Sequence, residues 1–272
     1  AFNHFLYLVT QFFVSSSSMG ISDFEVMFGF PIFYEKCQEL NIKPILGMDI
    51  KLGRFLLTLF IKDEVGYLNA IKISNTIQDN TFTYDQIIKN QEGLIFVLSV
   101  NINNYKDSLK SIQKLKEDLN DFYVGLETYN LIDSNEVYSF INETYSKIII
   151  YPFVRYLKED DAIVLDIVDA IKNSATLDYE TKDGNNYLYT QKEIEEFYKD
   201  LPLTDIDELI NKCNFVLEKN RGLTLKLFAD DEAKKVIKER CLEGLKNKNK
   251  LNDTYLTRLN YELDIIDKME FN

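Results

Sequence analysis

The chain has 272 residues and carries 44 Asp and Glu against 31 Lys and Arg, a formal net charge of −13. Affinity for DNA comes largely from Lys and Arg neutralising phosphates, so this balance argues against direct DNA binding by the chain as a whole. A hydrophobic content of 46% reads as a globular fold. No apolar run reaches the roughly 18 residues of a membrane span, and no basic, apolar, cleavable start reads as a secretory signal. Cys37, Cys213 and Cys241 are odd in number and widely spaced. That fits reduced thiols of a cytoplasmic protein, and neither a disulfide framework nor a zinc site.

In chain order, Phe5 to Val14 (FLYLVTQFFV) predicts a β-branched and aromatic strand. Ser15 to Ser18 lead straight into a second short strand at Met19 to Ser22. Parallel neighbours need a crossover of a dozen or more residues, which four serines cannot supply. The spacing therefore predicts a break between Ser18 and Met19, with a helical crossover missing. From Gly20 to Ile50 the pattern is strand, loop, helix, strand. Phe30, Phe33, Tyr34 and Cys37 recur at helical spacing, Asn41 and Pro44 stop the helix, and Ile45 to Ile50 begins the next strand. This is one βαβ unit and implies parallel pairing. The strand ending near Leu52 and the run RFLLTLFI from Arg54 leave almost no turn. A missing or very short loop is predicted at Gly53.

Regular alternation follows. Helices are predicted at 64–77, 84–90, 106–119, 134–145 and 160–172, with strands at 93–99, 122–127 and 148–152. Repeated βα units argue for an α/β barrel or an open parallel sheet. The character changes after about Ala175. Asp183-Gly184-Asn185 supplies turn chemistry, and helices are predicted at 191–199, 205–217, 230–246 and 253–269. Thr190 with Glu193, and Thr204 with Asp207, read as N-terminal capping pairs. The basic runs Lys234, Lys235, Lys238, Arg240 and Lys246, Lys248, Lys250 read as solvated helix faces.

Three stretches carry a resemblance. The first, SDFEVMFGFPIFYEKCQELNIKPILGMD from Ser22 to Asp49, contains the ordered run FYxxCxxxxIKPIxGM. The others are LYTQKEIEEFYKDLP from Leu188 and YLTRLNYELDIIDKMEF from Tyr255. Together they resemble the PHP (polymerase and histidinol phosphatase) domain of bacterial DNA polymerase III alpha subunits. The resemblance implies an α/β fold, a distorted, TIM-like β/α barrel followed by a C-terminal helical segment. Residues 1–175 would form the barrel core. Residues 176–272 would supply the remaining PHP elements and a helical extension leading toward a polymerase palm that the chain does not reach.

Active PHP domains resemble metal-dependent phosphoesterases, with a multi-metal centre held by His, Asp and Glu at the C-terminal ends of the strands. Such ligands neutralise clustered cations and let a metal-bound water ionise near neutral pH. Carried onto this chain, the opening His-x-His falls on Tyr7 and Val9, and the single histidine, His4, lies off that face. The Asp-His pair falls on Asp23 and Phe24, and the next Glu on Asp49. Later ligand positions fall near Asn101 and near Tyr129, on the run Pro152-Phe153-Val154-Arg155, and on Leu165. Only Asp23 and Asp49 remain as plausible ligands, enough for one weakly held Mg²⁺ or Ca²⁺ at most. Asp23 otherwise reads as a loop or capping carboxylate, and Asp49 as a partner of Arg155 or a strand-end polar group. Phe24, Phe153 and Leu165 read as apolar filling of the old pocket.

No catalytic residue, cofactor or metal ligand is therefore expected. The resemblance implies a structural, partner-binding module of a replication polymerase, cytoplasmic and without catalysis of its own. The parent would be a DNA-directed DNA polymerase, a nucleotidyltransferase. Partners would be the palm and thumb of the same parent chain and other replisome proteins, a proofreading exonuclease among them. The alternative is a residual metal-dependent phosphoesterase or 3′–5′ exonuclease built around Asp23 and Asp49.

Overall fold

The computed structural model describes residues 18–174, 185–218 and 230–269. The expected strand at 5–14, with His4, Tyr7 and Val9, lies outside them. The chain divides into two compact units, 1–217 and 218–272.

The first unit contains β1 (Ser18–Phe24), α1 (Phe30–Glu39), β2 (Lys43–Leu52), β3 (Phe55–Ile61), α2 (Glu64–Gln78), α3 (Tyr84–Lys89) and β4 (Leu94–Val100). It continues with α4 (Tyr105–Asp118), β5 (Phe122–Leu126), α5 (Leu131–Asn142), β6 (Ile148–Ile150), α6 (Ala162–Asn173), α7 (Gln191–Phe197) and α8 (Ile206–Lys212). The strands form one sheet in sequence order. β1 pairs β2 in parallel, β3 runs antiparallel to both β2 and β4, and β4, β5 and β6 are parallel. The architecture is mixed α/β, a curled six-stranded half-barrel of the distorted β/α barrel type, with a C-terminal helical segment. That segment, in the second unit, is α9 (Asp230–Asn247) and α10 (Asp253–Lys268).

Ser18 and Met19 are consecutive members of β1, paired with Lys43 and Pro44; the strand expected before them, and with it the missing crossover, lies outside the described residues. Two expectations need correction. The helix expected at 205–217 ends at Lys212. The chain is pulled out of it because the Asn214 amide donates to the Lys62 carbonyl at 2.8 Å and Phe215 stacks on Tyr67 at 4.7 Å. Its cap is Asp205, whose carboxylate accepts from the Asp207 amide at 3.0 Å. Thr204 instead donates its amide to the Ile148 carbonyl, extending the edge of β6. The Thr190–Glu193 capping box does form, with reciprocal bonds of 3.3 and 2.7 Å. The short loop at Gly53 is a two-residue hairpin turn, Leu52 pairing Phe55, with Gly53 at a φ of 62° that favours glycine.

The period of two along each strand sends alternate side chains to opposite faces. One face carries Met48, Leu57, Phe96 and Val124 into a core shared with Phe33 of α1, Ile73 of α2 and Ile141 of α5. The other, inner face is smaller. Ile45, Phe60, Val97, Tyr123 and Ile149 pack there with Leu209 and Cys213 from the α8 region. The Tyr123 hydroxyl donates to Glu208 at 2.6 Å, and Lys212 donates to that hydroxyl at 2.8 Å while pairing with Asp121 at 3.0 Å. These bonds close one end of the inner face. Burial pushes the Cys37 thiol up to about 11 and the Cys213 thiol up to about 12, so both pack as protonated apolar groups.

Candidate functional site

The inner face becomes polar toward the C-terminal ends of the parallel strands. Asp49, on β2, is 3% exposed. One carboxylate oxygen accepts from Thr58 Oγ1 at 2.6 Å and the other from Ser22 Oγ at 2.9 Å. Tyr151, just past β6, donates its hydroxyl to Thr58 Oγ1 at 2.8 Å, which leaves the Thr58 proton for Asp49. Tyr151 reaches this far because β5 has glycine at position 125. A Cβ there would stand 2.7 Å from the Tyr151 Cβ. The chain of bonds runs from the end of β6 to β3, β2 and β1. It therefore joins strands that are not neighbours in the sheet. Burial pushes the Asp49 carboxyl above its ordinary value, against the pull of the two hydroxyls. Burial also pushes the Tyr151 phenol upward, and the nearby Asp49 charge adds to it.

A second network is centred on Glu127, at the end of β5. Ser99 Oγ donates to Oε2 at 2.5 Å, Asn101 Nδ2 to the same oxygen at 3.3 Å, and the Tyr129 hydroxyl to Oε1 at 3.1 Å. Asn186 Nδ2 donates both to the Tyr129 oxygen at 2.8 Å and to the Phe153 carbonyl at 2.9 Å. The Asn186 carbonyl accepts the amides of Arg155 and Tyr156, and its own amide donates to the Tyr156 hydroxyl at 3.1 Å. Tyr198, buried, sets its hydroxyl between the carbonyls of Leu126 and Thr128 at 3.0 and 2.7 Å and so fixes the backbone on either side of Glu127. Burial pushes the Tyr129 phenol upward, and the Glu127 charge reinforces the shift.

Asp23 belongs to neither network. It accepts from the Gly29 amide at 2.7 Å at the start of α1, in keeping with a capping carboxylate. Asn101 and Tyr129 converge on Glu127, and Phe153 contributes a carbonyl through Asn186. Two expectations fail. Arg155 is exposed, and the two carboxylate oxygens of Asp49 go to hydroxyls instead. Phe24 is 55% exposed and fills no pocket. It shares Ser22's side of β1 but lies two residues further along, at the open rim. The Leu165 side chain lies outside the described residues. Glu127, Thr58, Ser22, Ser99, Tyr151 and Asn186 are functional-face residues that the family positions do not mark. Strand alternation alone could have flagged Ser99, which shares the side of Ile95 and Val97. Asn186 leaves no trace in the sequence, because its partners are distant in the chain.

The strand-end side chains of the described residues do not fit a multi-metal centre. Among the described residues, no group of three or more His, Cys, Asp and Glu side chains is close enough to hold a metal ion. Both oxygens of Asp49 and both of Glu127 already accept hydrogen bonds from hydroxyl or amide donors, which solvate a carboxylate but leave an ion few ligands. No hydrolytic step through a metal follows from this arrangement.

Fold and site together define a half-barrel of the distorted β/α type whose strand-end positions hold hydrogen-bonded polar networks. Residues 15–221 match the family model described as PHP domain, and the chain belongs to that family. It is 27% identical over 266 residues to the DNA polymerase III subunit alpha of Staphylococcus aureus (strain Mu50), covering 93% of this chain and 24% of the relative. It is 25% identical over 281 residues to the protein of the same name from Streptococcus pyogenes serotype M3, covering 99% of this chain and 25% of the relative. The chain thus spans about a quarter of the length of these curated relatives.

Proposed function

We propose that this chain is a non-catalytic structural and partner-binding PHP module of a DNA polymerase III alpha subunit, acting in the cytoplasm. Template-directed nucleotidyl transfer would be carried out elsewhere in the parent polypeptide. Residues 1–175 serve as the barrel core, and 176–272 supply the remaining PHP elements and the extension toward the palm. The observation that carries this reading is the inner face, where the carboxylates are enclosed by protein donors. The residual phosphoesterase or exonuclease reading needs Asp23 and Asp49 to act together, and their oxygens serve different partners.

Partner contact is supported by α6. Ile163, Val164, Ile167, Val168 and Ile171 recur along one side of this helix and are 38 to 74% exposed. A contiguous apolar stripe of this kind marks an interaction surface. The relatives carry about three quarters of their length outside the matched part, so the occupant is taken to be the polymerase body of the same polypeptide. The test is to supply that body in trans and measure association by analytical ultracentrifugation. The native chain is expected to form a one-to-one complex. An Ile167→Glu, Val168→Glu double variant, with unchanged circular dichroism, is expected to bind at least about tenfold more weakly, a loss of roughly 1.4 kcal/mol. Equal binding by both chains, or none by the native one, contradicts the reading. Among the described residues no helix is long and apolar enough to cross a membrane.

A further inference from the structure

The loop between β1 and α1, residues 23–29, carries two phenyl rings into water on a tightly held backbone. Phe28 is 82% exposed, the highest value of any large apolar side chain among the described residues, and Phe24 is exposed beside it in the chain.

The backbone beneath them is fixed at several points. The Glu25 amide donates to the Asp49 carbonyl at 2.8 Å. The Glu25 carbonyl accepts from Ser74 Oγ at 3.0 Å and from Gln78 Nε2 at 3.3 Å, both near the end of α2. Asp23 takes the Gly29 amide, and a Cβ on Gly29 would stand 2.8 Å from that carboxylate oxygen. Between these anchors Met27 packs against the core. Glu25 itself is held at a φ of 59°, in the left-handed region that few residues besides Gly, Asn and Asp enter. Strain of this kind persists only where the surroundings impose it, and it favours a functional reading of the loop.

The loop and the segments that hold it are acidic. Residues 23–29, 49–51 and 74–80 carry Asp23, Glu25, Asp49 and Asp79 against Lys51 alone. The C-terminal end of α2, at Asp79, adds the negative end of a helix dipole.

We propose that Phe24 and Phe28 are preformed anchors for the polymerase body of the parent polypeptide, seated in an apolar pocket bordered by Lys and Arg. The proposal rests on the reading of the chain as a module of a longer protein, and it adds a contact separate from α6. Rigid aromatic side chains lose little entropy on docking, and they are enriched in the desolvated centres of interfaces. The charge of the loop selects the occupant. Like charges would repel nucleic acid, an anionic membrane or a second copy of this chain, whereas a basic border would meet the four carboxylates. The relatives carry about three quarters of their length outside the matched part, which supplies such a body.

The test is hydroxyl-radical footprinting, read by mass spectrometry, on the isolated chain and on the full parent polypeptide. Phe24 and Phe28 are expected to oxidise readily in the isolated chain and at least about fivefold more slowly in the parent, where the pocket excludes water. In trans, a Phe24→Ala, Phe28→Ala variant of the chain should bind the polymerase body at least about tenfold more weakly than the native chain. Both rings are exposed, so its melting temperature should not fall. Equal oxidation of the two rings in chain and parent, or native-like binding by the variant, overturns the proposal. If Ile167 on α6 is protected in the parent while the rings are not, only this inference falls. If neither is protected, the reading of the chain as a docked module falls with it. Protection of the rings in the isolated chain that disappears on dilution overturns the proposal in favour of a second copy.

Discussion

Gly66→Ala is expected to destabilise the first unit by about 3 kcal/mol, although alanine is the better helix former. Gly66 sits in the first turn of α2, whose cap Asp63 accepts from the Gly66 amide at 2.9 Å. This turn rests directly on the backbone that enters β4. A Cβ on Gly66 would stand 1.9 Å from the Gly93 carbonyl oxygen and 2.6 Å from its carbon. That oxygen cannot move freely, because it accepts from the Lys62 amide at 2.9 Å and ties the end of β3 to the start of β4. Relief therefore needs a shift of helix against sheet. At Gly244, within α9, a Cβ would meet nothing within 4 Å. There the same substitution should stabilise by about 0.5–1 kcal/mol, the ordinary helical gain. Chemical unfolding of both variants reads the contrast. Two changes of the same sign would show that close packing of α2 on Gly93 does not govern the first site.

Asn186→Ala is expected to cost about 2 kcal/mol, and Asn186→Asp more than that at neutral pH. Alanine removes the two side-chain donations, to Tyr129 and to the Phe153 carbonyl, while the backbone bonds to residues 155 and 156 remain. Each lost bond contributes about 1 kcal/mol, with a further penalty for a part-buried carbonyl left without its donor. Aspartate removes the same donors and places a second carboxylate one hydroxyl away from Glu127. Its charged form gains no donor there, so its folded pKa should lie above the unfolded value. Ionising it should then lower stability as pH rises, and acidification should restore part of the loss. Urea unfolding at pH 7.5 and pH 5 checks both statements. A pH-independent cost of aspartate equal to that of alanine contradicts them.

The sequence made the scaffold legible and the interior only partly so. Helix spacing at Phe30, Phe33 and Cys37, the apolar runs of β3 to β6 and the Thr190–Glu193 box are local signals, and each marks its element within a few residues. The end of α8 was not legible, because a bond from Asn214 to Lys62 decides it across the fold. Ligand positions carried over from the family fall near Asn101 and Tyr129, whose side chains both meet Glu127. They could not show that Glu127 stands between them. They also suggested an Asp49–Arg155 pair, where two hydroxyls from β1 and β3 take that role. Alternation of strand side chains says which face a residue uses, and it does not say which partner meets it there.

The measurement that bears most directly on the central claim is bound metal. The purified chain would be incubated with Mn²⁺ and Zn²⁺, desalted and analysed for elemental content, with thermal unfolding recorded with and without chelator. The account predicts metal at background level and one melting temperature in both conditions. Stoichiometric metal that is lost in an Asp23→Ala, Asp49→Ala double variant would contradict it and return the inner face to hydrolytic chemistry.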